Sequence, residues 1–221
     1  MRSSDVANSY SEPSRFHDIA RELRSRICLL DPAKQHVLYE NGLAEEFGVS
    51  RTPIRQALQR LAYEHLIETH TGVGNVVPAL DVAERPCDFA VLSGLLSVAA
   101  NTAKKDLSVA LRIEIAGMGI ILGDTEARSL DTNELLAVHS RLADSVGAMV
   151  GNRILAQAIF AIHWRVLRWI CQASPQVHMF HTKALTTLIE ALSTAKTAPA
   201  ALGLLAGFYA KAEDLITSSV E

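Results

Sequence analysis

Apolar positions along this chain keep two different rhythms. Phe16, Ile19, Ala20, Leu23 and Ile27 recur every three or four residues, which predicts one amphipathic helix. Leu43, Ala44 and Phe47, then Ile54, Ala57, Leu58 and Leu61, carry the same spacing through two short segments broken at Gly48. A glycine reaches turn conformations that cost other residues energy, so the break reads as a tight turn between two helices. Ser50 stands where it can cap the second of them. The period then changes. Residues 66–69 and 75–77 read as strands on either side of His70–Thr71–Gly72–Val73–Gly74, which predicts a β-hairpin.

Beyond residue 86 the helical rhythm returns and persists. Apolar residues predict helices over 89–103, 107–122, 132–150, 153–172, 176–194 and 199–218, with Gly123–Asp124, Gly151–Asn152, Ser174–Pro175 and 197–199 as breaks. In the second of these, Ile113, Ile115, Met118, Ile120, Ile121 and Leu122 crowd together, so its C-terminal half is expected to be buried on nearly every side, at a bundle centre or in a dimer contact. The fold class is therefore mainly α: a winged helix-turn-helix domain followed by an all-helical bundle of about six helices. The expected boundaries are a flexible, Ser-rich arm over 1–13, the winged domain over 14–78, a polar hinge over 79–86 and the bundle over 87–221.

One run is specific enough to name a family. Val49 through Leu58 reads V-S-R-T-P-I-R-Q-A-L. With the preceding helix and the hairpin, it resembles the DNA-binding domain of GntR-family bacterial transcription regulators. The resemblance implies that Ser50, Arg51, Thr52 and Arg55 contact operator DNA, with Thr71 and Gly72 of the wing near the minor groove or backbone. Arginine at the start of a recognition helix can donate twice to guanine or clamp a phosphate. Two positions depart from the pattern. Asn41 stands where relatives often carry a basic or other DNA-contacting residue, and His65 stands where a glycine usually ends the recognition helix.

The two-domain order resembles the FadR-like branch of that family, whose helical domain binds an effector and forms a homodimer. Many members of the branch hold a metal with an Asp four residues before a His and two later histidines. Here His139 matches the first histidine, but Leu135 stands at the Asp position and Glu134 lies one place away. His181 is four residues short of the next expected position, at Leu185, and the final helix has no histidine around 207–209. No cofactor is therefore expected. His139, His163, Trp164, Arg165, Arg168, Trp169, His178 and His181 gather in the later helices and suit a small carboxylate or aromatic acid. From these, His139, His163, Arg165 and His181 are the candidate effector ligands.

Composition narrows the function further. Of 221 residues, 49% are hydrophobic, enough for a substantial core, and the net charge of −3 gives no general attraction to polyanions. DNA binding must come from a local basic cluster. The three cysteines are widely spaced and fit neither a disulfide framework nor a zinc site, so a reducing cytoplasm is expected, with no signal peptide and no uninterrupted membrane-spanning run. No Gly-rich phosphate loop, G-x-S-x-G elbow or H-E-x-x-H motif appears, which argues against an enzyme. The expected function is a sequence-specific regulator, usually a repressor in this family, acting as a dimer on an inverted repeat. The alternative is a winged-helix protein-interaction or architectural module without an effector. Such a module would not need the exposed Arg51 and Arg55.

Overall fold

The computed structural model describes residues 12–103, 106–123 and 130–217. Most of the expected N-terminal arm lies outside them, and its last two residues already belong to the first helix. The winged domain comprises α1 (Glu12–Leu29), β1 (His36–Leu38), α2 (Glu40–Glu46), α3 (Arg51–Tyr63), β2 (Glu68–His70) and β3 (Gly74–Val77). Gly48, at φ +61°, makes the turn between α2 and α3. Ile54, Ala57, Leu58 and Leu61 are buried on one side of α3, as the spacing requires. The sheet has the order β1-β3-β2, both pairs antiparallel, with His70 opposite Gly74 at the wing tip and Val37 opposite Val76 on the other edge. Strand β1 is absent from the sequence reading because three residues carry too little period to register, and it forms only where β3 offers an edge.

Two local expectations change. Ser50 occupies the N-cap of α3 with extended backbone, yet its side chain makes no capping bond. His65 adopts φ +56°, the left-handed conformation that favours glycine at a helix end. The backbone demands that geometry because the chain must leave α3 and enter the buried pair Leu66 and Ile67.

The bundle comprises α4 (Arg85–Thr102), α5 (Val109–Gly123), α6 (Thr132–Met149), α7 (Arg153–Cys171), α8 (Pro175–Thr194) and α9 (Ala198–Thr217). Local chemistry sets several starts. Asp131 and Glu134 form a reciprocal capping box on α6, Asn152 accepts from two amides of α7, and Ser174 precedes Pro175 at the start of α8. The segment expected as a hinge contains a single 3-10 turn, Val82–Glu84, capped by Asp81, and runs straight into α4. Helix α4 packs on α7 and α9, α5 on α6 and α8, and α6 on α7. Helix α5 is thus an outer helix. Ile115, Met118 and Leu122 are buried, but Ile113 is 67% and Ile120 81% exposed, so burial on nearly every side does not occur within one chain. Apolar density along α5 exceeds what its two neighbours can cover.

Helix α7 is long and apolar enough to cross a membrane, but half of its apolar window is buried inside the bundle. It also forms the seam between the domains. Gln172 donates to the carbonyls of Cys28 (3.0 Å) and Leu30 (3.1 Å), and Arg168 donates to the Pro78 carbonyl at 3.1 Å.

Candidate functional sites

The first site is the exposed start of α3 with the wing beside it. Packing of Ile54, Ala57 and Leu58 against the domain core forces Arg51, Thr52 and Arg55 outward, and all three are exposed, as is Ser50. Thr71 and Gly72 lie in the loop joining β2 to β3, exposed, with Gly72 at φ +82° and Val73 donating back to His70. The structure therefore places all six predicted contacts on solvent-facing segments. Arg55 donates through Nε to Glu40 Oε2 at 2.7 Å, and Arg51 through Nη1 to Asn41 Oδ1 at 3.4 Å. Glu40 escaped the sequence reading, although its neighbour Asn41 was singled out.

The second site is inside the bundle. His139 on α6, His163 on α7, His181 on α8 and Tyr209 on α9 are fully buried and linked ring to ring. His139 and His181 face each other through their Nε2 atoms at 3.1 Å, and their rings stack with centroids 5.3 Å apart. The Tyr209 hydroxyl lies 3.3 Å from His139 Nδ1 and 3.2 Å from His163 Nδ1. Burial pushes the pKa of His163 and of His181 down to about 4 and holds that of His139 well below the imidazole range, while the same burial pushes the Tyr209 phenol upward. All four groups are neutral at pH 7.

Neutrality fixes how protons can be distributed. A neutral imidazole has one donor and one acceptor nitrogen, and the phenol has one proton to donate. If His139 donates to His181, the phenol donates to His139 and accepts from His163. If His181 donates instead, each bond along the chain reverses. In either arrangement the outer atom, His163 Nε2, is buried with no hydrogen-bond partner. The Nε1 of adjacent Trp164 is likewise unpartnered.

The branch's metal does not fit this donor set. The nitrogens of His139 and His181 are turned to each other, those of His139 and His163 to a phenol, and no carboxylate joins them. Among the described residues no three His, Cys, Asp or Glu side chains are grouped to hold an ion. Tyr209 is a partner that sequence reasoning missed, though it falls within the 207–209 window where a last histidine was sought.

Arg165, the fourth candidate ligand, is not brought to this cluster. It donates through Nε to both Asp88 oxygens at 2.8 Å and pairs with Glu84, and Asp88 also accepts from Trp169 Nε1 at 2.9 Å. Its partners sit 77 and 81 residues away in sequence, at the entry to the bundle. Of the others in the sequence cluster, His178 contacts the Ile170 carbonyl at 2.8 Å, and Trp164 supports the winged domain.

That support joins the two sites. Arg24 of α1 lies over the Phe160 ring (5.0 Å) and the Trp164 ring (5.9 Å). It forks onto Glu64 with bonds of 2.6 and 2.7 Å, and Glu64, 4% exposed at the C-cap of α3, also accepts from Arg60 at 2.6 Å. Helix α3, Glu64, Arg24, Trp164 and His163 are consecutive contacts, the last pair 6.2 Å between ring centroids.

Comparison with known proteins bears on both domains. Residues 17–77 match the family described as bacterial regulatory proteins, gntR family. Over 66 residues the chain is 41% identical to an uncharacterised HTH-type transcriptional regulator in an unstable DNA locus of Streptomyces ambofaciens; the match covers 30% of this chain and 28% of that relative. The full fold is similar to that of E. coli McbR/YncC, with a TM-score of 0.63 and 18% identity over 95% of this chain and 98% of that one. It is similar as well to a putative transcriptional regulator GntR from Rhodococcus sp. RHA1, with a TM-score of 0.62 and 15% identity over 93% and 99% of the two chains.

Proposed function

We propose that the chain, whose residues 17–77 match the gntR family of bacterial regulatory proteins, is a transcription regulator of that family, a repressor whose operator binding responds to a small organic acid. The observation that carries the reading is the exposed start of α3, where Arg51, Thr52 and Arg55 project together and the wing tip flanks them. In this reading Ser50, Arg51, Thr52 and Arg55 enter the major groove, with Thr71 and Gly72 on the adjacent groove or backbone. A homodimer presents two heads to an inverted repeat, since a two-fold protein calls for a two-fold site. The protein acts in the cytoplasm.

The effector reading rests on the buried histidines. A carboxylate admitted beside His139, His163 and His181 would stabilise their charged forms, so its binding takes up protons and tightens as pH falls. The unpartnered Nε2 of His163 is the atom best placed to donate to it. Arg165 has a different part in this proposal. Committed to Glu84 and Asp88, it links α7 to the entry of the bundle and carries a shift of α7 toward the winged domain.

Selection of bound sequences from a random duplex pool, using the full chain beside an Arg51→Ala, Arg55→Ala control, tests the reading. A palindromic motif that disappears in the control is the expected result. No enriched sequence would overturn it in favour of a winged helix that binds protein.

A further inference from the structure

The two arginines at the start of α3 are held before any DNA is present. Glu40 and Asn41 are consecutive residues in the first turn of α2, and Arg51 and Arg55 lie one turn apart on α3, so two adjacent side chains of one helix meet two adjacent-turn arginines of the next. The Arg55–Glu40 bond is short, 2.7 Å, yet the Arg55 side chain remains 59% and Glu40 31% exposed. An ion pair so wet contributes little to stability. Its consequence is directional. A guanidinium is planar, and a carboxylate on Nε leaves the two Nη groups as a free outward edge, the pair of donors that guanine O6 and N7 accept. Rotamer freedom is also lost in advance, so less is lost on binding.

The carboxylate acts on the backbone in the opposite sense. A negative charge among phosphate-binding side chains repels phosphate, and it competes with phosphate for Arg55. We propose that Glu40 is a specificity-determining residue of the DNA site: it aims Arg55 at a base edge and keeps it from being captured by the sugar-phosphate backbone. Asn41 gives Arg51 a neutral, longer contact and therefore a weaker form of the same orientation.

The inference rests on the DNA-binding reading above, and one set of measurements separates the two. Affinity of the wild-type chain, Glu40→Gln and Glu40→Ala is measured for the selected operator and for a random duplex across a salt series. Glu40 packs no core, so circular dichroism should be unchanged. With Glu40→Gln, random-duplex binding should tighten about threefold to tenfold, and the slope of log affinity against log salt should steepen by about 0.9 as Arg55 takes one more phosphate. Operator binding should gain less or weaken, so that the ratio of specific to random affinity falls about tenfold or more, with sequence information lost at the base facing Arg55. A residue that merely braced the fold would weaken both duplexes together. An unchanged ratio and slope in a sequence-selective wild type would overturn the role of Glu40, whereas a wild type with no sequence preference would overturn the DNA reading beneath it.

Discussion

The winged domain keeps the cations at the start of α3 in water, whereas the bundle keeps its histidine bases out of it. Arg51 and Arg55 are exposed and held by single contacts at the edge of α2; His139, His163 and His181 are buried, with their ring nitrogens turned to each other and to Tyr209. The exposed set meets a charged partner directly from solvent. The buried set is neutral, and any charge introduced there must come with a proton or a counterion. The difference teaches that the seam between them, where Arg24 and Glu64 lie on the aromatic shelf of Phe160 and Trp164, buries an ion pair next to both regions.

Breaking that seam should have the largest effect. Glu64→Ala leaves Arg24 buried without its carboxylate and removes the anchor of Arg60 as well. A destabilisation of about 3–5 kcal/mol is expected for such a severed buried pair, read as a lowered midpoint in urea unfolding. Little change would show that the seam is wetter than its geometry. Next in size is loss of the reading cations. Arg51→Ala or Arg55→Ala should weaken operator binding by about 1–3 kcal/mol each, with the urea midpoint unmoved, as measured by fluorescence anisotropy and denaturation side by side. Equal operator affinity would remove these residues from the DNA site.

The buried chain offers a sharper contrast. Tyr209→Phe removes the hydroxyl that bridges His139 Nδ1 and His163 Nδ1, so a loss of about 1–3 kcal/mol in stability is expected, without a change in random-duplex affinity. The histidines also set a pH window. In the folded chain His163 and His181 titrate at about 4 and His139 well below its usual range, against about 6.5 unfolded. Between those values the unfolded chain binds more protons, so stability is complete above about pH 6.5 and falls as pH drops toward 4. Unfolding midpoints measured from pH 7.5 to 4.5 should show this decline, and His181→Gln should flatten it. A flat wild-type profile would mean the cluster is hydrated.

What could be read from sequence divides along the same line. The helix-turn-helix was legible because its determinants are local: Gly48 fixes the turn, and Ile54, Ala57, Leu58 and Leu61 fix which face is buried and hence which arginines are not. Helix starts in the bundle were legible for the same reason, from Asn152 and Ser174. The buried site was legible only in part. Residue type marked His139, His163 and His181, but no spacing rule links them to Tyr209 on α9, and none reveals that Arg165 is taken by Asp88 from α4. Such pairings are decided by which helices become neighbours. The exposed faces of Ile113 and Ile120 belong to the same class, since apolar period predicts a buried stripe and says nothing of how many neighbours will arrive to cover it.

The smallest expected effect lies where local and tertiary demands conflict. His65 is, among the described residues, the only non-glycine with positive φ, and it stands directly after the Glu64 cap that fastens α3 to the seam. A Cβ in the left-handed region costs about 1 kcal/mol, which glycine avoids at the expense of a more flexible unfolded chain. His65→Gly should therefore stabilise the fold by at most about 1 kcal/mol, seen as a small rise in the urea midpoint, while His65→Val, with its branched Cβ, should lower it by more. The imidazole itself is exposed, so neither change removes a buried contact and the difference isolates backbone strain. If His65→Gly instead destabilised the chain, the imidazole would be holding the end of α3 through a contact with the neighbouring bundle surface, and the boundary between the wet head and the dry core would extend one residue further along the recognition helix than Glu64.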